Sequence, residues 1–288
     1  MSADPATAPA AVRLPDGGRR HDLRAVTVVL RRELIRFWQD RMRIVIALVQ
    51  PALFLFVLGS GLAALTSAGS GGFDLRTFLF PGVLAMSVMM PAMFSAGSIV
   101  IDREYGFLRE MLVAPVSRTA LVVGKCLGGA IVATGQGVLV LLLAPAVGIS
   151  YGVAWMAAAI GLMFVLAFTL TALGVMVAGR IRSFQGFMAL VNMLVMPMLF
   201  LSGAMFPLSG LPRWLTVLTH VNPLTYAVDA VRRTVFAHVD ISERSRAVLA
   251  PGVHWGGWQV PVAAEVAIVA VLGLVLLAVA AAQFRRTE

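Results

Sequence analysis

IDREYGFLREMLVAPVSR, residues 101–118, sets the frame for reading the rest of the chain. Its charges, Asp102, Arg103, Glu104, Arg109, Glu110 and Arg118, follow a run (77–101) with no Asp, Glu, Lys or Arg and precede another (126–179). A charge at the centre of a bilayer is costly, so such an island belongs outside the hydrocarbon. Ile101, Tyr105, Leu108 and Met111/Leu112 recur at helical spacing and form one apolar stripe. Asp102 is placed to accept from the free amides of a first turn as an N-cap, and Pro115 ends the helix. The pattern predicts a short amphipathic helix on the membrane surface, with Arg103, Glu104, Gly106, Arg109 and Glu110 turned to water. A solvated connecting loop accounts for the same spacing.

Composition sets the class. Of 288 residues, 59% are hydrophobic and only 13% charged, against about 25% charged in a soluble domain. The apolar runs are also longer than a buried core helix needs. This is an integral membrane protein. The single cysteine, Cys126, excludes an intrachain disulfide and a cysteine-based metal site. His21, His220, His238 and His254 are scattered, with no metal-ligand spacing. A phosphate-binding loop needs GxxxxGK[ST]. Around Lys125 the chain offers Gly124, but Thr119 stands in the first glycine position and Cys126 in the Ser/Thr position. No ATP site, catalytic set or metal is therefore expected on this chain.

Residues 1–20 read as a disordered tail, without the apolar core of a secretory signal. Over 21–40, Leu23, Val26, Leu30, Leu34 and Phe37/Trp38 form a stripe beside Arg24, Arg31, Arg32 and Arg36. That pattern suits an amphipathic helix in the headgroup layer, or a plain juxtamembrane anchor. The remainder, 41–288, forms one membrane domain with six expected spans, at about 44–65, 77–101, 120–147, 155–179, 184–205 and 262–284. Pro51 should kink the first. In the second, Met86, Met89, Met90 and Met93 either line an adaptable path or simply pack. Gly124 and Gly128 allow another helix to approach closely. No span is expected to hold an ionisable residue in its interior.

Between the last two spans, Leu211–Arg233 is apolar but interrupted by Pro212, Asn222 and Pro223. It predicts two short helices, about 211–221 and 224–237, dipping into the membrane from one side, with Trp214 and Tyr226 at headgroup depth. Residues 237–260 read as an exposed loop. With the N-terminus inside, 17 of the 23 basic residues fall on the cytoplasmic side and 6 outside, which places both termini and residues 102–118 in the cytoplasm.

DREYGFLREMLVAPVSR after a second span resembles the cytoplasmic coupling segment of the ABC type-2 transporter permease family. FLSGAMFPLSGLPRWLTVLTHVNPLTYAVDAVRR resembles that family's characteristic region before its last span. The likeness covers nearly the whole chain from about residue 22 and is nearest to the daunorubicin-resistance type of drug-export permease. It departs at Phe107, where many relatives carry threonine after the glycine.

The resemblance implies an all-α permease in the plasma membrane, paired with a second copy or paralogue and two ATP-binding cassette subunits. Those subunits would bind the ATP and magnesium, this chain binding no cofactor and no nucleic acid. Glu104, Gly106, Arg109 and Glu110 match the coupling segment that rests on the ATPase. Asn222, Pro223 and Tyr226 match the external motif, as a gate or as a structural turn. The implied cargo is a hydrophobic or weakly basic small molecule, with export of a polysaccharide or lipid-linked sugar as the alternative. A secondary transporter and a non-transporting membrane scaffold or enzyme are the other classes.

Overall fold

The computed structural model describes residues 19–61, 75–106, 117–206, 208, 210–238 and 250–286. Helix α1 spans Arg19–Gln39, beside the expected 21–40. Phe37 of the predicted stripe and Val29 beside it are buried, and Arg24, Arg31, Arg32 and the stripe's Trp38 are exposed. Helix α2 (Arg41–Leu53) contains Pro51 and widens into a π turn at Phe54–Leu58. Proline deprives a helix of one N–H donor, and the regular ladder is lost within a turn of it.

Helix α3 (Leu75–Ser95) and helix α4 (Gly97–Glu104) are separated by a turn at Ala96 but form one apolar stretch. Helices α5 (Arg118–Leu141), α6 (Val153–Ala178) and α7 (Phe184–Leu201) follow. Two shorter helices come next, α8 (Arg213–Val221) and α9 (Pro223–Phe236). Strands β1 (His254–Trp255) and β2 (Trp258–Gln259) make a small antiparallel hairpin before helix α10 (Val262–Arg286). Six stretches are long and apolar enough to cross a membrane: Ile44–Gly61, Leu75–Glu104, Thr119–Leu141, Val153–Ala178, Phe184–Leu201 and Val262–Arg285. These are the six expected spans, with ends shifted by a few residues.

Helix α3 is the centre of the bundle, buried almost throughout and packed on α5 and α6. Helix α10 covers α6, and α9 fills the space between α3, α6 and α10. By contrast α2, α7 and α10 show apolar side chains outward, among them Val45, Met193, Phe200 and Leu274. Helix α1 lies along α5, where a Cβ on Gly124 would come within 3.1 Å of Val29 Cβ. On Gly128 it would meet Glu33 Cγ at 3.1 Å. The two glycines admit the amphipathic N-terminal helix, not another span.

Several expectations change. Asp102 is not an N-cap: it lies in the last turn of α4, whose N-cap position is Ala96. The second span's helix resumes after Ala96, so the amides around residue 102 already have carbonyl partners. The rest of the predicted surface helix, including Arg109 and Glu110, lies outside the described residues, as do residues 62–74 and the predicted tail of 1–20 except Arg19 and Arg20, which begin α1. Lys125 and Glu265 are both buried within spans, against the expectation of charge-free interiors. Residues 250–260 are a hairpin anchored by buried Val253 and Val260. Tyr226 is buried, at 3% exposure, while Trp214 is exposed.

Candidate functional site

Two groups of polar side chains stand at opposite ends of the bundle. Phe78, at the start of α3, touches the second group, and Ser98, just past the end of α3, belongs to the first. Twenty helical residues separate them, or roughly 30 Å at 1.5 Å per residue.

At the first end, Lys125 Nζ donates to Glu33 Oε1 at 2.9 Å and to Ser98 Oγ at 2.8 Å. One ammonium thus ties α5 to α1 and α4. The pair is nearly sequestered from water, so the contact replaces lost hydration for both charges. Arg103, expected to face water, instead donates through Nη1 to the carbonyls of Ala178 (3.3 Å), Gly179 (3.3 Å) and Ile181 (3.0 Å). These include free carbonyls at the end of α6, where a cation is favoured. Next to it, Glu104 Oε2 accepts from the Phe184 N–H at 3.2 Å, at the positive start of α7. Ser183 completes that cap by accepting from Gly186. Adjacent residues of opposite charge therefore clamp both sides of the α6–α7 turn. Gly106 follows at φ +80°, a left-handed conformation that glycine adopts without strain, and a Cβ there would meet nothing within 4 Å. Of the predicted coupling residues, Glu104 and Gly106 stand together at this end.

At the second end, Asn222 and Pro223 start α9. Asn222 Oδ1 accepts from the Leu224 N–H (3.1 Å) as an N-cap, and its Nδ2 donates to the Met198 carbonyl of α7 (2.7 Å). Thr225 adds a bond to the Leu201 carbonyl (3.1 Å). Tyr226 donates its hydroxyl to the His220 carbonyl (2.7 Å), closing the α8–α9 joint, and its ring meets Trp255 edge-on at 6.3 Å. The three predicted residues are thus gathered at one joint.

One turn further along α9 lies a set that sequence reasoning missed. Asp229 Oδ2 accepts from the Val253 N–H (3.1 Å) and stands 3.9 Å from Arg233 Nη1. Arg233 donates to the Val260 carbonyl (2.7 Å) and stands 3.7 Å from Glu265 Oε1. Arg232 is 3% exposed, donates to the Gly203 carbonyl, and lies 4.5 Å over the Phe78 ring. Burial lowers the Arg232 pKa to about 10, with the Asp229 charge opposing. Glu265 is fully buried, yet neither carboxylate oxygen has a hydrogen-bond partner among the described residues. The available signal was Glu265 itself, an ionisable residue in the first turn of an apolar span. Lys125, the chain's one lysine, gave the same signal at the other end.

Of the four methionines in the second span, Met89 and Met93 pack in the core. Met86 and Met90 line a cavity of about 170 Å³ with Ile46, Gln50, Phe94 and Gln136.

Bundle and polar ends together define a multi-pass helical membrane protein with one structured face at each end. Residues 24–236 match the ABC-2 type transporter family, and the chain belongs to it. It is 25% identical to the putative transport permease ycf38 of Cyanophora paradoxa, over 71% of this chain and 72% of that protein. It is 28% identical to nodulation protein J of Rhizobium leguminosarum bv. viciae, over 65% of this chain and 73% of the relative. It is 29% identical to the probable multidrug ABC transporter permease YbhR of Escherichia coli K12, over 56% of this chain and 44% of the relative. The chain is an ABC transporter permease, and its family implies an ABC ATPase as partner.

Proposed function

We propose that this permease exports a hydrophobic or weakly basic small molecule across the plasma membrane, driven by ATP hydrolysed on a separate subunit, with two permease chains side by side. Both termini and residues 102–118 face the cytoplasm, following the excess of basic residues there. Glu104, Gly106, Arg109 and Glu110 carry the contact with the ATPase. The observation that carries this reading is the Arg103–Glu104 clamp on the α6–α7 turn. A displacement of the stretch after Glu104 is passed to two spans at once, so ATPase closure changes the relative stability of two bundle arrangements.

At the other face, α8 and α9 form a re-entrant pair that seals the exit, hinged at Asn222, Pro223 and Tyr226. The cargo assignment is supported by the charge-poor cavity beside Met86 and Met90 and by the likeness to YbhR, a probable multidrug ABC transporter permease. The test is co-purification with the ATPase, reconstitution into proteoliposomes, and measurement of ATP hydrolysis against added compounds. Stimulation by lipophilic cations or neutral drugs is expected. Stimulation only by glycolipid or polysaccharide overturns the cargo assignment. A tag at His238 accessible from outside, with the C-terminus accessible only from inside, is the expected topology.

A further inference from the structure

A groove of about 500 Å³ runs between α1 and α4, lined by Val28, Arg31, Arg32, Ile35, Ile101 and Asp102, with Gln39 and Ser98 at its margin. Its walls are apolar and its rim is charged. Val28 and Ile35 are 67% and 46% exposed, an unfavourable position for aliphatic side chains in water. Chain continuity fixes its depth: α1 ends two residues before α2 begins, just ahead of the apolar stretch that starts at Ile44, and Ile101–Asp102 sit at the far end of the second span. Both walls therefore stand where two spans leave the bilayer, on the same face of the membrane.

The rim charges are not explained by the fold. Lys125 and Glu33 pair with each other, and Arg103 and Glu104 bond the α6–α7 turn. Arg31, Arg32 and Asp102 have no ion pair or hydrogen bond to any described residue. Two guanidiniums and one carboxylate give the groove a net charge of +1, which one phosphodiester neutralises. Guanidinium forks bind phosphate oxygens in preference to water. Asp102 can accept from a hydroxyl on the same headgroup.

We propose that this groove is a binding site for one phosphatidylglycerol molecule. Its phosphate sits on Arg31 and Arg32, its glycerol hydroxyls on Asp102, and the upper acyl chain against Val28, Ile35 and Ile101. The lipid bridges α1 to the segment that leads out of the second span. This goes beyond the general attraction of a basic helix to an anionic surface, because it names a stoichiometric site with an acidic member. It does not depend on which molecule the permease exports.

The experiment is native mass spectrometry of the permease, delipidated in detergent and titrated with phosphatidylglycerol, phosphatidylethanolamine or phosphatidylcholine. One phosphatidylglycerol per chain is expected to survive detergent removal, with phosphatidylcholine retained far less. The double variant Arg31→Gln/Arg32→Gln should weaken retention about thirtyfold, from the attraction each basic residue contributes at a lipid surface. Arg24→Gln lies on the same helix, is exposed and does not line the groove, so it should retain the lipid. Equal retention of all three lipids, equal loss in Arg24→Gln and the double variant, or undiminished binding in the double variant each overturns the site. Preference for phosphatidylethanolamine overturns the charge matching that selects glycerol.

Discussion

The two ends of this bundle hold similar numbers of charged side chains and treat them differently. At the first end Glu33 and Lys125 meet each other at 2.9 Å, and Arg103 and Glu104 are matched to a helix C-terminus and N-terminus. At the second end Asp229, Arg232 and Arg233 each bond a backbone group, but the carboxylates stand 3.9 and 3.7 Å from Arg233, and neither Glu265 oxygen has a hydrogen bond among the described residues. Satisfied polar networks rigidify what they join, while buried groups left partly unsatisfied raise the free energy of the arrangement that holds them. The first end is built as a brace. The second leaves one buried carboxylate, Glu265, without a hydrogen bond among the described residues.

The largest expected effect tests the second end. Asp229→Ala removes the acceptor of the Val253 N–H and the carboxylate flanked by Arg232 and Arg233 on α9. Removing one partner from a buried charged set costs about 3–5 kcal/mol. Melting in detergent should show a loss of that order, and Asp229→Asn, which keeps an acceptor for Val253, should lose well under half as much. Equal melting of the alanine variant and the parent protein would remove the structural role given to this cluster.

Lys125→Met tests the brace, with an expected loss of about 3 kcal/mol because Glu33, only 12% exposed, stays without its cation. The double variant Glu33→Gln/Lys125→Met should recover much of it, giving a coupling energy in a double-mutant cycle. Additive losses would show that the contact between α1 and α5 does not depend on the pair.

What was legible in the sequence, and what was not, follows the same division. Spans were readable because bilayer length and the absence of charge are local properties, as at 126–179. The α8–α9 boundary was readable because Asn222-Pro223 is a helix start in any context. Buried ions were not. Asp229, Arg232 and Arg233 have the i, i+3, i+4 spacing of an ordinary solvated face, and only the packing of α9 against α3, α6 and α10 buries the first two and half-buries the third. Glu33 and Lys125 are 92 residues apart, so neither advertises the other. Arg103 and Glu104 were expected at a water-facing surface because the turn they clamp lies beyond α5 and α6 in the chain.

Glu104→Arg tests whether the brace also transmits. The Phe184 N–H loses its acceptor and a second cation is placed beside Arg103, which costs about 1 kcal/mol at this exposed position. Membrane insertion and ATPase pull-down should persist while transport falls several-fold. Glu110→Arg should uncouple in the same way if the contact continues past Gly106. Normal efflux in both variants would sink the coupling assignment.

The smallest effect separates joint from seal. Tyr226→Phe keeps the ring that meets Trp255 and deletes only the hydroxyl that donates to the His220 carbonyl. A single neutral hydrogen bond contributes about 1 kcal/mol net, so melting should fall slightly and subunit assembly not at all. That carbonyl closes the α8–α9 joint one turn from the charged cluster. Loosening it should therefore shift efflux more than its small stability cost implies. Tyr226→Ala also removes the ring from a buried position at 3% exposure and should cost several times more in stability. Pro223→Ala leaves both contacts but frees the backbone at the first residue of α9, and should change efflux with little change in melting. If all three variants lose efflux only in proportion to their loss of folded protein, the joint is a structural turn. A disproportionate loss in Tyr226→Phe or Pro223→Ala marks it as the hinge of a moving seal.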